Sequence, residues 1–315
     1  MKPIGGYFEL ELRKGEEYHK GAIRLNTGRN AFEYILRAKD YKKVYLPYFT
    51  CDVMLEPIQK LKLEYEFYHI NEQMEPIFNF SRISKNETFV YTNYFGLKSL
   101  VVSQLSEICQ NLIIDNSQAF FEKPIDGIDT FYSPRKFFGL PDGAYLFTNK
   151  KLNKELPSNG STNRFSHLIK RIEGEAETGY EDFKMNDNSL IGQSINKMSS
   201  LTLALLCNID YEYIKKKRIE NFLYLHKQLS EYNELSLKLD VNSVPMIYPF
   251  LKKETGLKQK LIDNKIYIAT YWPNVFKWCE ENELEYSMAK QIVPIPLDQR
   301  YGLEEMKRII NLIIK

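Results

Sequence analysis

Short apolar runs separated by amphipathic stretches dominate the first half of the chain. AIRLN (22–26), VYL (44–46), EYEFYHI (64–70), TFVYTNYF (88–95), NLIID (111–115), DTFYS (129–133) and AYLFT (144–148) are strand-like, rich in β-branched and aromatic residues. Between them, 30–38, 52–61 and 99–109 carry helical periodicity. Strands alternating with helices predict parallel pairing through crossover helices, hence a three-layer α/β domain with a mostly parallel sheet. Such sheets bind ligands at the carboxyl ends of their strands.

The pattern then changes. Residues 153–188 are polar and read as loop or domain-spanning surface. A helix with a long apolar face is expected over 189–207, and a charged amphipathic one over 211–232. The basic run Lys215–Arg218 in the second reads as a solvated face in preference to a phosphate site. After about residue 239 the pattern restarts, with strands at 244–251, 266–269 and 291–297 and helices at 254–264 and 303–314. Two domains are therefore expected: residues 1–240 as a large α/β unit and 241–315 as a small α+β unit.

Composition narrows the chemistry. Lys plus Arg number 43 against 41 Asp plus Glu, a formal charge of +2 that gives no case for nucleic acid. No apolar run approaches membrane-spanning length, and the opening residues lack the apolar core of a secretion signal, so a cytoplasmic protein is expected. Cys51, Cys109, Cys207 and Cys279 are far apart, and His19, His69, His167 and His226 show no metal spacing; no metal site is expected. The sequon Asn86-Glu87-Thr88 has no meaning without secretion.

Asp115 ends an apolar run at the position where ligands of parallel sheets sit. A buried carboxylate needs a cation or hydrogen-bond donors, and a protonated pyridine nitrogen is one such partner. Alone, Asp115 reads more readily as the cap of an Asp-Asn-Ser turn. Lys136 shifts that balance. It follows another strand in TFYSPRKFFGLPDGAYLF, flanked by aromatic residues, where burial and the adjacent Arg135 would prepare its amine to attack an aldehyde. Ser133 could donate to a phosphate. In LNTGRNAF (25–32) a strand runs into a helix start, an arrangement suited to an anion, with Gly28 allowing close approach and Arg29 adding charge. Asn30 equally suits a simple cap. Asp298 and Arg300 could hold a substrate anion or pair with each other, and Trp272 could line a site mouth or fill the core.

The order TGRNA, PYFTC (47–51), NYFG (93–96), IIDNSQAFF (113–121), YSPRKFFG and DGAYLFT resembles the DegT/StrS-like nucleotide-sugar aminotransferases, and NKMSSLTLALL and IVPIPLDQRYGLEEMKRIINLI extend the likeness over most of the chain. The resemblance implies a fold-type I enzyme dependent on pyridoxal 5′-phosphate (PLP), homodimeric, with active sites at the interface. It implies that Lys136 forms the Schiff base and shuttles the proton, that Asp115 pairs with the pyridine nitrogen, and that Gln118 lies beside the ring. It further implies that Gly28, Arg29 and Asn30 form the phosphate loop, helped by Ser133, that Asn93 lies near the cofactor, and that Asn196 reaches the partner subunit's phosphate. An amino-acid donor such as glutamate and a keto-sugar nucleotide acceptor, in amino-sugar synthesis for surface polysaccharide, complete what it implies. The chain departs from the pattern at Arg29, at Cys51 where an aromatic residue is usual, at Phe131 where a serine is usual, and at Pro141-Asp142-Gly143-Ala144. A dehydrating PLP enzyme and a non-catalytic relative binding PLP or a nucleotide sugar remain alternatives. A Rossmann nucleotide binder ranks last, because no GxGxxG follows the first strand.

Overall fold

The computed structural model describes residues 4–241, 243–253 and 256–314. Its strands are β1 (Ile23–Leu25), β2 (Lys43–Pro47), β3 (Glu64–Ile70), β4 (Pro76–Ile77), β5 (Glu87–Thr92), β6 (Leu112–Asp115), β7 (Asp129–Tyr132), β8 (Ala144–Phe147), β9 (Tyr248–Leu251) and β10 (Ile292–Ile295). Its helices are α1 (Gly28–Lys39), α2 (Leu55–Leu61), α3 (Ser99–Ile108), α4 (Ser166–Glu173), α5 (Tyr180–Ser189), α6 (Ser200–Cys207), α7 (Tyr211–Leu229), α8 (Leu257–Asp263), α9 (Val275–Trp278), α10 (Leu284–Gln291) and α11 (Leu303–Ile314).

The first eight strands form one sheet in the order β1-β8-β7-β6-β5-β2-β3-β4. Pairings from β3 through β2, β5 and β6 to β7 are parallel, while β8 runs antiparallel to both β7 and β1. Every residue of β6 is buried, as expected of a strand covered on both faces. On one face Phe32, Ile35 and Leu36 of α1 pack with Val90, Ile113, Phe131 and Leu146. On the other, a continuous apolar core runs from Tyr91 and Ile114 through Phe222 and Leu225 of α7 to the β9–β10 pair and Ile309 and Ile313 of α11. The fold is thus a mostly parallel, helix-covered sheet with a second, two-stranded antiparallel sheet from the C-terminal part.

Four expectations need correction. The polar stretch 153–188 contains α4 and α5, whose buried residues are only His167 and Asn186; the apolar stripe of α4 (Leu168, Ile169, Ile172) is confined to eight residues among charged ones and is largely exposed. The helix expected over 189–207 begins only at Ser200, where the Ser199 hydroxyl accepts from Thr202 N (3.0 Å); before it, Lys197 bridges to Leu25 beside β1. Residues 244–247 precede β9 as irregular chain, because the carbonyls of Pro245 and Met246 accept from Arg218 and not from a neighbouring strand. Residues 266–269 form no strand. The helix expected over 254–264 is seen from Leu257 to Asp263, its first two positions lying outside the described residues.

Candidate active site

β5, β6 and β7 end side by side, with Thr92 opposite Asp115 and Asp115 opposite Phe131. The segments that leave these ends carry most of the residues of interest. Asp115 is buried, and its Oδ1 accepts from Ser117 N at 2.8 Å. Burial pushes its carboxyl above the usual range, opposed by the charge of Lys136 and by the Ser117 bond. Three residues on, Gln118 is buried; its Oε1 accepts from Phe95 N (2.9 Å), while its Nε2 has no protein partner. Asn93, which leaves β5, accepts from Lys98 N through Oδ1 (3.0 Å), and its buried Nδ2 is likewise unpartnered.

β7 runs into Ser133 and then a single 3-10 turn, Pro134–Lys136. This turn lifts Lys136 into a cleft of about 490 Å³ lined also by Gln118, Ser133, Cys51, Arg218, Trp272 and Asp298. Lys136 is exposed there, whereas its aromatic flanks suggested burial: Phe137 and Phe138 turn into the core and leave the lysine outside. The Cys51 thiol is pushed up by burial, with the charge of Lys136 opposing, so the two side chains face one environment.

The start of α1 lies close behind. Thr27 caps it, its hydroxyl accepting from Asn30 N at 3.1 Å. A methyl group on Gly28 would lie 3.7 Å from Ser117 Oγ and 3.8 Å from Ser133 Cβ, so Gly28, Ser117 and Ser133 converge. Arg29 and Asn30 do not join them. Arg29 pairs with Glu56 at 2.6 Å, its carboxylate a closer partner than any open anion site. The Asn30 amide is consumed by Thr27 Oγ1 (2.6 Å) and the Gln193 carbonyl (2.9 Å). Asn196 sits beside β1, its backbone joined to Asn26, and does not line the cleft. Arg135, adjacent to the lysine, is paired with Asp187 at 2.8 Å.

Arg218 was hidden in the basic run of α7. It is not a solvated cation but 2% exposed, on the cleft wall, stacked 4.6 Å from the Phe137 ring. Its guanidinium donates to Gln299 Oε1 (3.0 Å) and to the carbonyls of Met246 (2.9 Å), Pro245 (3.3 Å) and Phe137 (3.3 Å). Burial pushes its pKa down to about 10, with Asp298 opposing. The only available signal was its spacing from Tyr211, Ile214, Phe222 and Leu225 on the buried face of α7. Asp298 and Arg300 do form an ion pair (2.7 Å). Trp272 is both buried, edge-on to Phe49 at 4.6 Å, and part of the cleft wall.

Chains of this architecture are known. The PLP form of Spr1654 from Streptococcus pneumoniae superposes with a TM-score of 0.63 over 92% of this chain and 85% of that chain at 15% identity. The sugar aminotransferase CalS13 from Micromonospora echinospora gives 0.62 over 93% and 86% at 14% identity. A DegT/DnrJ/EryC1/StrS aminotransferase from Brucella abortus gives 0.60 over 93% and 85% at 14% identity. This chain has their fold. No protein-family model and no curated protein matches its sequence. Spr1654 has also been solved in apo and PMP forms, so the same fold is known with each state of that cofactor.

Proposed function

We propose that this chain is a PLP-dependent aminotransferase that moves an amino group from an α-amino acid, glutamate first among candidates, to a keto-sugar nucleotide. The observation that carries this reading is the meeting of Lys136, the buried Asp115 carboxylate that feels its charge, and the unpartnered Gln118 Nε2 just beyond neighbouring strand ends.

The residues present fit the cofactor. Asp115, buried with a single backbone donor, would hold a protonated pyridine nitrogen and gain the cation its burial requires. Gln118 Nε2 would donate to the ring's phenolic oxygen, and Asn93 Nδ2 offers a second orphaned donor nearby. Gly28, Ser133 and the first turn of α1 would hold the phosphate, with Arg29 and Asn30 fixing that turn through Glu56, Thr27 and Gln193. Asn196 would serve the phosphate of a second copy. When bound, PLP supplies the electron sink that lets a donor's Cα–H bond break. Lys136, exposed in the cleft, would tether the cofactor between turnovers and carry the proton at Nζ.

In this reading residues 1–240 form the cofactor-binding domain and 241–315 the small domain. The protein works in the cytoplasm as a homodimer with sites at the subunit interface, making amino sugars for surface polysaccharide. Among the described residues no helix is long and apolar enough to cross a membrane.

The test is the visible spectrum of the purified protein beside Lys136→Ala, after adding PLP and then glutamate. A Lys136-dependent band that glutamate bleaches is the expected result. A band that ignores amino donors discards amino transfer, and no band with PLP in excess discards the cofactor.

A further inference from the structure

The segment Pro141-Asp142-Gly143-Ala144, where the chain departs from the aminotransferase pattern, joins the lysine turn to β8. Asp142 at its centre is fully buried. A carboxylate withdrawn from water needs several donors to offset its lost hydration. Asp142 has four, all of them side chains. Thr202 Oγ1, in the first turn of α6, donates to Oδ1 at 2.5 Å. Ser161 Oγ (2.6 Å), Asn159 Nδ2 (2.8 Å) and Arg164 Nη2 (2.5 Å), from the chain between β8 and α4, donate to Oδ2. Arg164 also supplies the matching charge.

Gly143 continues the junction. Its N–H donates to the Asn26 carbonyl at 2.6 Å, its φ is +112°, and a Cβ there would lie 2.9 Å from Thr202 Cγ2. Glycine alone lets the backbone approach α6 this closely in that conformation. Asn26 immediately precedes the Thr27 cap and Gly28, and its side chain donates to Gln193 Oε1 (3.1 Å) and the Ser194 carbonyl (3.0 Å) and accepts from Asn196 N (3.2 Å). On the other side the Pro141 carbonyl accepts from Asn186 Nδ2 at 2.8 Å. Asp142 and Gly143 thus fasten the connection leaving Lys136 to the entry of α1 and to the start of α6. Asp142 does not itself line the cleft, so it acts through what it holds.

We infer that Asp142 is a positioning residue, which sets the spacing between Lys136, at the aldehyde end of the cofactor, and the first turn of α1, at its phosphate end. The inference rests on the PLP reading of the cleft and adds the residue that matches the two halves of the cradle. A small rigid ligand gripped at both ends has little slack, and a shift of about 1 Å in one grip weakens the whole.

Pyridoxal, the same aldehyde without the phosphate, separates the two ends. Affinities for PLP and for pyridoxal are read from the visible band and from quenching of tryptophan fluorescence, Trp272 lying on the cleft wall. Asp142→Asn keeps the side chain's shape but removes its charge and turns one acceptor into a donor facing donors. It should weaken PLP at least about tenfold while leaving pyridoxal within about twofold. Thr202→Val, which removes one of the four donors, should show the same selective loss to a smaller extent. Ile313→Ala, a control buried in α11 away from the cleft lining, should lower the urea midpoint and leave both affinities unchanged. Equal losses for the two aldehydes in Asp142→Asn, or no loss, overturn the inference even where that variant is less stable. Should Asp142→Asn fail to fold, Thr202→Val decides: a selective loss of PLP supports the inference, and an unchanged ratio of the two affinities overturns it. Absence of a wild-type band with PLP removes the aminotransferase reading and this inference with it. A normal wild-type band with an unaltered ratio in the variants removes this inference alone.

Discussion

Arg218 Nη2 donates to the carbonyl of Phe137 at 3.3 Å, which sets a buried cation against the backbone one residue beyond Lys136. The same guanidinium reaches Pro245 and Met246 before β9 and Gln299 after β10, and Gln299 Nε2 itself donates to the Phe137 carbonyl at 2.9 Å. One side chain therefore ties the lysine turn to both approaches of the second sheet. Among the described residues no carboxylate lies within ion-pair distance of it, so its charge is balanced by carbonyl dipoles and, at longer range, by Asp298.

Arg218→Met should destabilise the protein by about 3 kcal/mol or more, since the Pro245 and Met246 carbonyls lose their donor. The Phe137 carbonyl keeps Gln299. Arg218→Lys should fall between, because a single ammonium cannot span the three directions of the fork. Urea midpoints measure both; a loss below about 1 kcal/mol for the methionine variant would refute the account.

Gly96 should not accept a side chain. Its φ is +72°, and a Cβ there would meet Val244 O at 2.9 Å and Gln118 O at 3.1 Å, both backbone atoms. Relief would require moving the segment that presents Gln118 to the cleft. Gly96→Ala should cost about 2 kcal/mol through strain and displacement, and should weaken PLP binding measured by fluorescence quenching. Unchanged PLP affinity in a destabilised variant would detach Gly96 from the site.

Most of the sheet was legible because its strands are short apolar blocks in a regular alternation. β3 and α11 were read to the residue, and β1, β2, β6, β7 and β8 to within a residue or two. Two-residue β4 has no pattern to read, α5 has almost none, and α4 is a short helix within a polar stretch. At the candidate site, Asp115 and Lys136 stood out because they lie at or just beyond a strand end, a place sequence alone can mark, whereas Gln118 was named only through the family resemblance. The ion pair of Arg29 was not legible, because its partner, Glu56, lies on another helix and pairing across helices leaves no local signature. Arg218 was missed for the converse reason, since a charged residue on a buried helical face looks like its solvated neighbours Lys215–Lys217.

Asp115→Asn should separate stability from chemistry. The carboxyl is buried and raised chiefly by desolvation, so removing its charge relieves a cost in the cofactor-free protein while the Ser117 bond can remain. The apo variant should melt at the wild-type temperature or above it. Amino transfer should fall at least about a hundredfold, because a neutral amide cannot keep a pyridine nitrogen protonated. A variant that melts lower and reacts normally would reverse both assignments.

His19 ties the N-terminal part of the described chain to the loop that carries Gln118. Its Nε2 lies 2.6 Å from the Phe120 carbonyl, and its ring packs 4.0 Å from that of Tyr132. Burial pushes its pKa down from 6.5 to about 4, against the pull of that hydrogen bond. The folded protein therefore keeps His19 neutral while the unfolded chain protonates it below about pH 6.5, and in that window the unfolded state binds the extra proton. Stability contributed here is full above pH 6.5 and falls as the pH drops toward 4, by about 3 kcal/mol in all. His19→Gln, which keeps a donor for Phe120 but does not titrate, should flatten the dependence of the urea midpoint on pH between 6.5 and 4 while lowering the midpoint at pH 8 through lost ring packing. If wild type and variant fall in parallel over that range, His19 is not the group whose protonation loosens the loop.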